Sequence, residues 1–139
     1  MAYIMDQPDT TIYKPHQYID NSGKTECVIF VEKAAKAPPT ALWKKGVKIL
    51  EANEGEIKKG TAIATFDENG NYPKDSKGKH AAIYLSHNKQ EKSINVLDQW
   101  DSQPIVKQRT IRFWKNKNEK LNGHSYSRSN DSDAFYVIQ

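Results

Sequence analysis

Three segments in the second half of the chain alternate apolar and polar residues: "HAAIYLS" (80–86), "SINVLDQW" (93–100) and "PIVKQRTIRFW" (104–114). A period of two puts successive side chains on opposite faces of an extended backbone, so each segment reads as a half-buried strand. Only short polar connections separate them, which favours antiparallel neighbours. "IKKGTAIATF" adds a lysine-glycine turn and a strand over about 61–66, and "AFYVI" near the end reads as a closing strand. Between them, "DENGNYPKDSKGK" is a turn-rich loop. Its Asp67, Asn69 and Asn71 alternate like calcium ligands, but Tyr72 takes the glycine position and Gly78 the final glutamate position, so no calcium loop is expected.

The first half has a different rhythm. Residues 1–26 are polar with scattered aromatics and prolines, and read as an extended arm or loop. From Cys27, the residues Cys27, Val31, Ala34 and Ala35 fall on one helical face with Phe30 beside them. Thr25 is the expected N-cap, and Pro38 and Pro39 stop the helix because neither can donate a further backbone bond. "PPTALWKKGVKILEA" suggests a second short helical turn ending near Gly46. Helices first and strands afterwards predict an α+β domain, with the N-terminal helix that carries Cys27 packed on an antiparallel β-meander. The 139 residues fit one domain over 1–139, with residues 1–16 as a possible extended arm.

Composition narrows the setting. A single cysteine excludes an internal disulfide. The N-terminus lacks a basic stretch followed by an apolar core, so no Sec-type signal is expected, and no window approaches the roughly 18 apolar residues of a membrane span. The expectation is a chain made in the cytoplasm that reaches any other compartment by another route. A formal net charge of +4 favours polyanionic partners such as nucleic acid, anionic lipid or an acidic bacterial wall, without choosing among them.

The lone thiol is the natural candidate for chemistry. At a helix N-terminus, unpaired N–H groups and the helix dipole favour thiolate over thiol. Such a nucleophile needs a base and a group that orients the base. His16, His87 and His124 lie in segments read as exposed loops, whereas His80 opens a strand. If residues 87–91 form the hairpin loop, opposed positions place His80 directly across from Asp98, Ala82 across from Val96 and Tyr84 across from Ile94. A slip of one residue would put the pair on opposite faces. Gln99, the neighbour of Asp98, faces the other way and is the weaker orienter. No metal-ligand spacing is present, and no cofactor is expected.

The same residues carry a family resemblance. "GKTECVIFVEKA", "IKKGTAIATF", "GKHAAIYL" and "INVLDQW" occur in the order of the NlpC-like and CHAP-like cysteine amidases of papain-like fold. The "C…APPT…W…G" run, "GTAIATF", "HAAIYL", "VLDQW" and "DAFYVI" resemble the small type VI secretion amidase effectors, over about residues 17–139. The resemblance implies a cysteine opening a helix, a histidine opening the second core strand and a polar residue on the third. It carries over as Cys27 nucleophile, His80 general base and Asp98 orienter. It further implies hydrolysis of an amide in the stem peptide or cross-bridge of peptidoglycan, action as an antibacterial toxin in the target periplasm, and a cognate immunity protein as partner. Tyr18, nine residues before Cys27, matches a tyrosine near the site of NlpC-like enzymes. Trp43, Tyr84 and Trp100 are candidates to line a substrate groove, against the plainer role of buried core. The chain departs from the pattern at Glu26, where such enzymes often have a neutral residue; a carboxylate there opposes thiolate formation if it points inward.

Two readings from other classes stand beside this one. "KQRTIRFWKNKNEK" sets Arg109, Arg112, Lys115, Lys117 and Lys120 among Phe113 and Trp114, the mixture that grips phosphates and stacks bases, although a strand running into a solvated basic loop is the plainer account. A cell-wall-binding domain without catalysis would make no use of the cysteine.

Overall fold

Strand alternation produces a six-stranded antiparallel sheet in the computed structural model, which describes residues 1–139. The strands are β1 (Lys45–Lys48), β2 (Ala62–Thr65), β3 (Ala81–Asn88), β4 (Ser93–Trp100), β5 (Gln103–Ile111) and β6 (Phe135–Ile138). One α-helix, α1 (Cys27–Ala35), precedes them, and 3-10 turns cover residues 40–42, 49–51, 128–130 and 132–134. No helix is long and apolar enough to cross a membrane.

The sheet order is β1-β6-β2-β3-β4-β5. Strands β2 to β5 form the expected meander, but the last strand does not extend it. Residues 112–134 return from the β5 edge and insert β6 between β1 and β2, where Ile63 pairs with Val137 and Lys45 with Ile138. β1 itself was not anticipated. "KGVK" follows Trp43 where a helical turn was expected; only Thr40–Leu42 turns, and the chain then extends. Its glycine and β-branched valine suit a strand, and pairing with β6 supplies the backbone partners that its short sequence does not advertise.

Two cores form, one on each face of the sheet. On one face α1 buries Phe30, Val31 and Ala35 against Ala62, Ala64, Ala81, Ile83 and Leu97, joined by Met5 and Trp43. On the other, Ile63, Ala82, Tyr84, Ile94, Val96, Ile111, Phe135 and Val137 pack under Ile49 of a 3-10 turn. The strict alternation of β3 and β4 residues between these lists is the two-residue period made physical. Fully burying a side chain such as Phe30 stabilises the fold by about 1.5–3 kcal/mol.

The helix begins differently from the expectation. Thr25 is not the cap: its hydroxyl donates to the Trp100 carbonyl at 3.1 Å, tying the segment before α1 to the end of β4. Glu26 takes the N-cap position in an extended conformation without a side-chain cap bond. Ile29 N–H donates to the Glu26 carbonyl at 3.2 Å, while the first-turn N–H groups receive no side-chain cap from Glu26. Lys36, in the left-handed conformation, ends the helix before the prolines are reached.

The arm is docked on the sheet. Met5 N–H donates to the Gly60 carbonyl, and Ala62 N–H donates to the Tyr3 carbonyl, both at 2.8 Å. Gly60 has φ +100°, and a Cβ there would collide with the Met5 carbonyl oxygen. Gly60→Ala combines a left-handed strain with a backbone clash, so we expect a loss of about 1–3 kcal/mol in unfolding free energy. Urea denaturation measures it, and an unchanged midpoint would show the arm to be dispensable.

Candidate active site

Cys27 opens α1 on the face of the helix that meets the sheet, and it is half-buried. His80 ends the loop that leads into β3 and is buried. Its backbone is held twice by Thr65: His80 N–H donates to Thr65 Oγ1 at 3.1 Å, and Thr65 N–H donates to the His80 carbonyl at 3.0 Å. His80 Nε2 lies 2.8 Å from Asp98 Oδ2, which leaves Nδ1 as the ring nitrogen available to the thiol.

The pairing was reached by a different register from the one expected. Tyr84 pairs with Val96 and Ile83 with Leu97, two residues from the direct opposition deduced from the sequence, so His80 and Asp98 are diagonal neighbours. β3 runs on through His87 and Asn88, because His87 is buried between the Tyr84 hydroxyl at Nδ1 and the Ala52 carbonyl at Nε2. An irregularity between Tyr84 and Ser86 adds one further residue of offset. The displacement at the site end is even, so the face of each side chain is kept and the contact survives.

Asp98 is fully buried, and its Oδ2 has a second partner that the sequence did not announce. Arg109 on β5 donates to it from Nε at 2.9 Å and lies within 2.8 Å through Nη2. The guanidinium also packs on the Trp100 ring at 5.4 Å and donates from Nη1 to Asn130 Oδ1 at 3.3 Å. Arg109, first considered as a phosphate contact, is thus committed to the carboxylate. The stacking aromatics of that segment are engaged as well: Trp114 is buried, and Lys92 covers Phe113.

The electrostatics follow from this arrangement. Burial pushes the Cys27 thiol up, but a hydrogen bond and charge from His80, the Ala81 N–H and the Tyr72 hydroxyl outweigh it, and the net direction is down. For His80, burial favours the neutral ring, while hydrogen bonds to Asp98 and Cys27 and their charges prevail and raise its pKa. Both shifts favour a thiolate–imidazolium pair. Glu26 is exposed and lines the same cavity, and its charge raises the pKa of Tyr72 and of Glu32.

Tyr72 was passed over as a loop residue. Its hydroxyl lies 3.9 Å from Cys27 Sγ. Burial first, then the charge of Cys27 and the hydrogen bond to it, hold the phenol well above its usual range, so it stays a donor. The only sequence hint was an aromatic inside a polar turn. Gln99 does face away from Asp98: its Nε2 donates to the Glu26 carbonyl at 3.1 Å and the Tyr18 carbonyl at 2.9 Å, fastening the start of α1 to β4.

The remaining candidates separate. Trp100 lines a cavity of about 440 Å³ with Cys27, His80, Tyr72 and Val28, and its ring meets His80 edge-on at 6.2 Å. Trp43 lines an adjoining cavity. Tyr18 packs its ring on Phe30 at 4.9 Å, its carbonyl accepts from Gln99, and it does not line the cavity over Cys27. Tyr84 belongs to the core on the opposite face of the sheet, so its ring lines no groove around the thiol. No three His, Cys, Asp or Glu side chains gather to hold a metal.

A half-buried cysteine at a helix start, set against an antiparallel sheet bearing a histidine–carboxylate pair, defines a papain-like α+β domain. A solved structure of type 6 secretion amidase effector 2 superposes with a TM-score of 0.77 at 26% identity, covering 99% of this chain and 94% of that one. The family model for domesticated amidase effector 2 matches residues 5–138. The chain is 35% identical over 144 residues to the domesticated amidase effector 2 of Ixodes scapularis, covering 100% of this chain and 89% of the relative. It is 30% identical over 117 residues to a type VI secretion amidase effector 2 protein of Salmonella typhi, covering 82% and 84% of the two chains. The chain belongs to the domesticated amidase effector 2 family, a group of amidase hydrolases.

Breaking a buried ion pair by removing one partner typically costs about 3–5 kcal/mol. We expect Arg109→Leu, which leaves Asp98 with His80 alone, to lower unfolding free energy by about that amount. A loss below ~1 kcal/mol in denaturant titration would show that the buried carboxylate does not depend on Arg109.

Proposed function

We propose that the chain is a cysteine amidase that hydrolyses peptide amide bonds of peptidoglycan through Cys27, His80 and Asp98. The observation that carries the reading is the 2.8 Å contact from His80 Nε2 to Asp98 Oδ2 beside a thiol whose pKa is lowered chiefly by that same histidine. Membership of an amidase effector family and the basic net charge, suited to an anionic wall, support the substrate class.

The roles follow from the geometry. His80 Nδ1 holds the proton given up by the thiol, and the Cys27 thiolate attacks the amide carbon. The carbonyl electrons move to oxygen, and the Cys27 N–H at the start of α1 with the Tyr72 hydroxyl receive the oxyanion. His80 protonates the departing amine, leaving a thioester, then draws a proton from water as the water attacks; the C–S bond breaks, the acid product leaves, and Cys27 and His80 again share one proton. Asp98 fixes the ring with Nε2–H toward itself, and Arg109 fixes Asp98.

Three outcomes test this. Peptidoglycan digested by wild type and by Cys27→Ala should differ, with soluble peptide fragments in mass spectrometry only from wild type; identical profiles would sink the proposal. Tyr72→Phe should lower kcat by about a hundred- to a thousand-fold, the usual cost of one oxyanion donor, with little change in KM. The third outcome concerns pH. A lowered thiol pKa opens the ion-pair window below the ordinary thiol range near 8.5, and the His80 pKa, raised to about 9, closes it. Alkylation of Cys27 by iodoacetamide should therefore already be fast at neutral pH, and Asp98→Asn should shift its rise toward that ordinary range. A wild-type profile that still climbs through pH ~8.5 like a free cysteine would refute the pair.

A further inference from the structure

The cavity over Cys27 does not end at Tyr72. A second cavity of about 410 Å³ lies beyond it, and the two share Thr40, Tyr72 and Lys79 in their walls. Its floor is apolar and fixed. Trp43 is buried, meets Tyr72 edge-on at 5.0 Å and donates from Nε1 to the Pro38 carbonyl at 2.7 Å, while Pro73 is also buried. Its rim carries Lys74 and Lys79, both exposed, and neither ammonium has an ion-pair partner, whereas Arg128 and Lys48 elsewhere in the chain are paired. The one acid in this wall, Asp67, is tied by Oδ1 to the Asn69 and Asn71 N–H groups.

The other end of the groove has the opposite sign. There Glu26 and Asp101 flank Cys27 and Trp100. A groove that is basic at one end and acidic at the other, with the thiol between, orients a substrate of matching polarity. Lys79 adjoins His80 in sequence and lines both cavities, so an anion held there lies next to the reacting bond.

We propose that the cavity walled by Trp43, Tyr72 and Pro73 is a substrate subsite whose Lys74 and Lys79 bind a free carboxylate on the residue adjoining the scissile amide. Peptidoglycan peptides carry such carboxylates, and the inference rests on the amidase reading above. It adds that a substrate with that group converted to a carboxamide is discriminated against. Lys74 and Lys79 contribute to substrate affinity and take no part in bond breaking.

The test uses the full chain and two synthetic peptides built around the bond that wild type cleaves in peptidoglycan. One bears the free carboxylate beside that bond, the other the primary carboxamide. Wild type should prefer the carboxylate form by about ten-fold or more in kcat/KM, the ratio set by one charge-assisted contact of about 1.4 kcal/mol. Lys79→Gln and, separately, Lys74→Gln should raise KM for the carboxylate form by roughly ten-fold and leave kcat/KM for the carboxamide form within about two-fold. Lys79→Arg should retain the preference. Equal rates on both peptides for wild type, or equal slowing of both by the lysine variants, would overturn this inference alone. If wild type releases no peptide fragment from peptidoglycan, the amidase reading falls and the inference with it.

Discussion

A carboxylate with no exposure to solvent is the constraint around which this molecule is arranged. Taking Asp98 out of water costs several kcal/mol, and the cost is offset only because donors from two other parts of the chain converge on its Oδ2. One donor is His80 at the mouth of β3, and the other is Arg109 on β5. Each must be placed within hydrogen-bond distance, so the register of both strand pairs around β4 is set by the same oxygen. Arg109 can reach it because its diagonal position on β5 shares the face of Asp98, and Trp100 gives its guanidinium an aromatic surface to lie on. Oδ1 has no partner in the protein, which concentrates the pairing on a single atom.

The cysteine arrives from the opposite side by separate means. No side-chain cap holds the first turn of α1, a helix of nine residues. Its start is fixed by the end of β4, where Thr25 donates to the Trp100 carbonyl and Gln99 donates to the Glu26 carbonyl. β4 thus positions both halves of the site through two consecutive residues. Asp98 points to the histidine on one face, and Gln99 points to the helix on the other. The polar "DQ" within a buried strand is one device with two directions.

This explains what could be read in the sequence and what could not. The period-two pattern placed β2 to β5, and parity alone put His80 and Asp98 on one face, even though the hairpin loop was drawn too early at His87. A polar residue with buried partners, such as His87 between Tyr84 and Ala52, is indistinguishable in sequence from a loop histidine. Tyr72 was not legible as a neighbour of the site because it reaches Cys27 from a loop distant in sequence with no periodicity to mark it, whereas Arg109, on β5 close to Asp98 in sequence, reads equally well as part of a solvated basic stretch. β1 was missed for a related reason: four residues with one glycine become a strand only when β6 pairs with them. The expectation about Thr25 failed because a distant carbonyl competes for its hydroxyl, and local capping preference cannot foresee that competition.

The place of β6 has a kinetic meaning. It is the last strand in chain order but an interior strand of the sheet, pairing Lys45 with Ile138 and Ile63 with Val137. Among the strand pairings of the sheet these close the longest loops, and they carry the largest entropic cost before any contact rewards them. Phe135, the first residue of β6, packs edge-on against the His80 ring at 6.4 Å. During synthesis the histidine therefore stands without that wall until residues 135–138 have emerged. A reactive centre built in this order matures only once residues 135–138 are in place, so a nascent chain carries the thiol well before it carries a finished site.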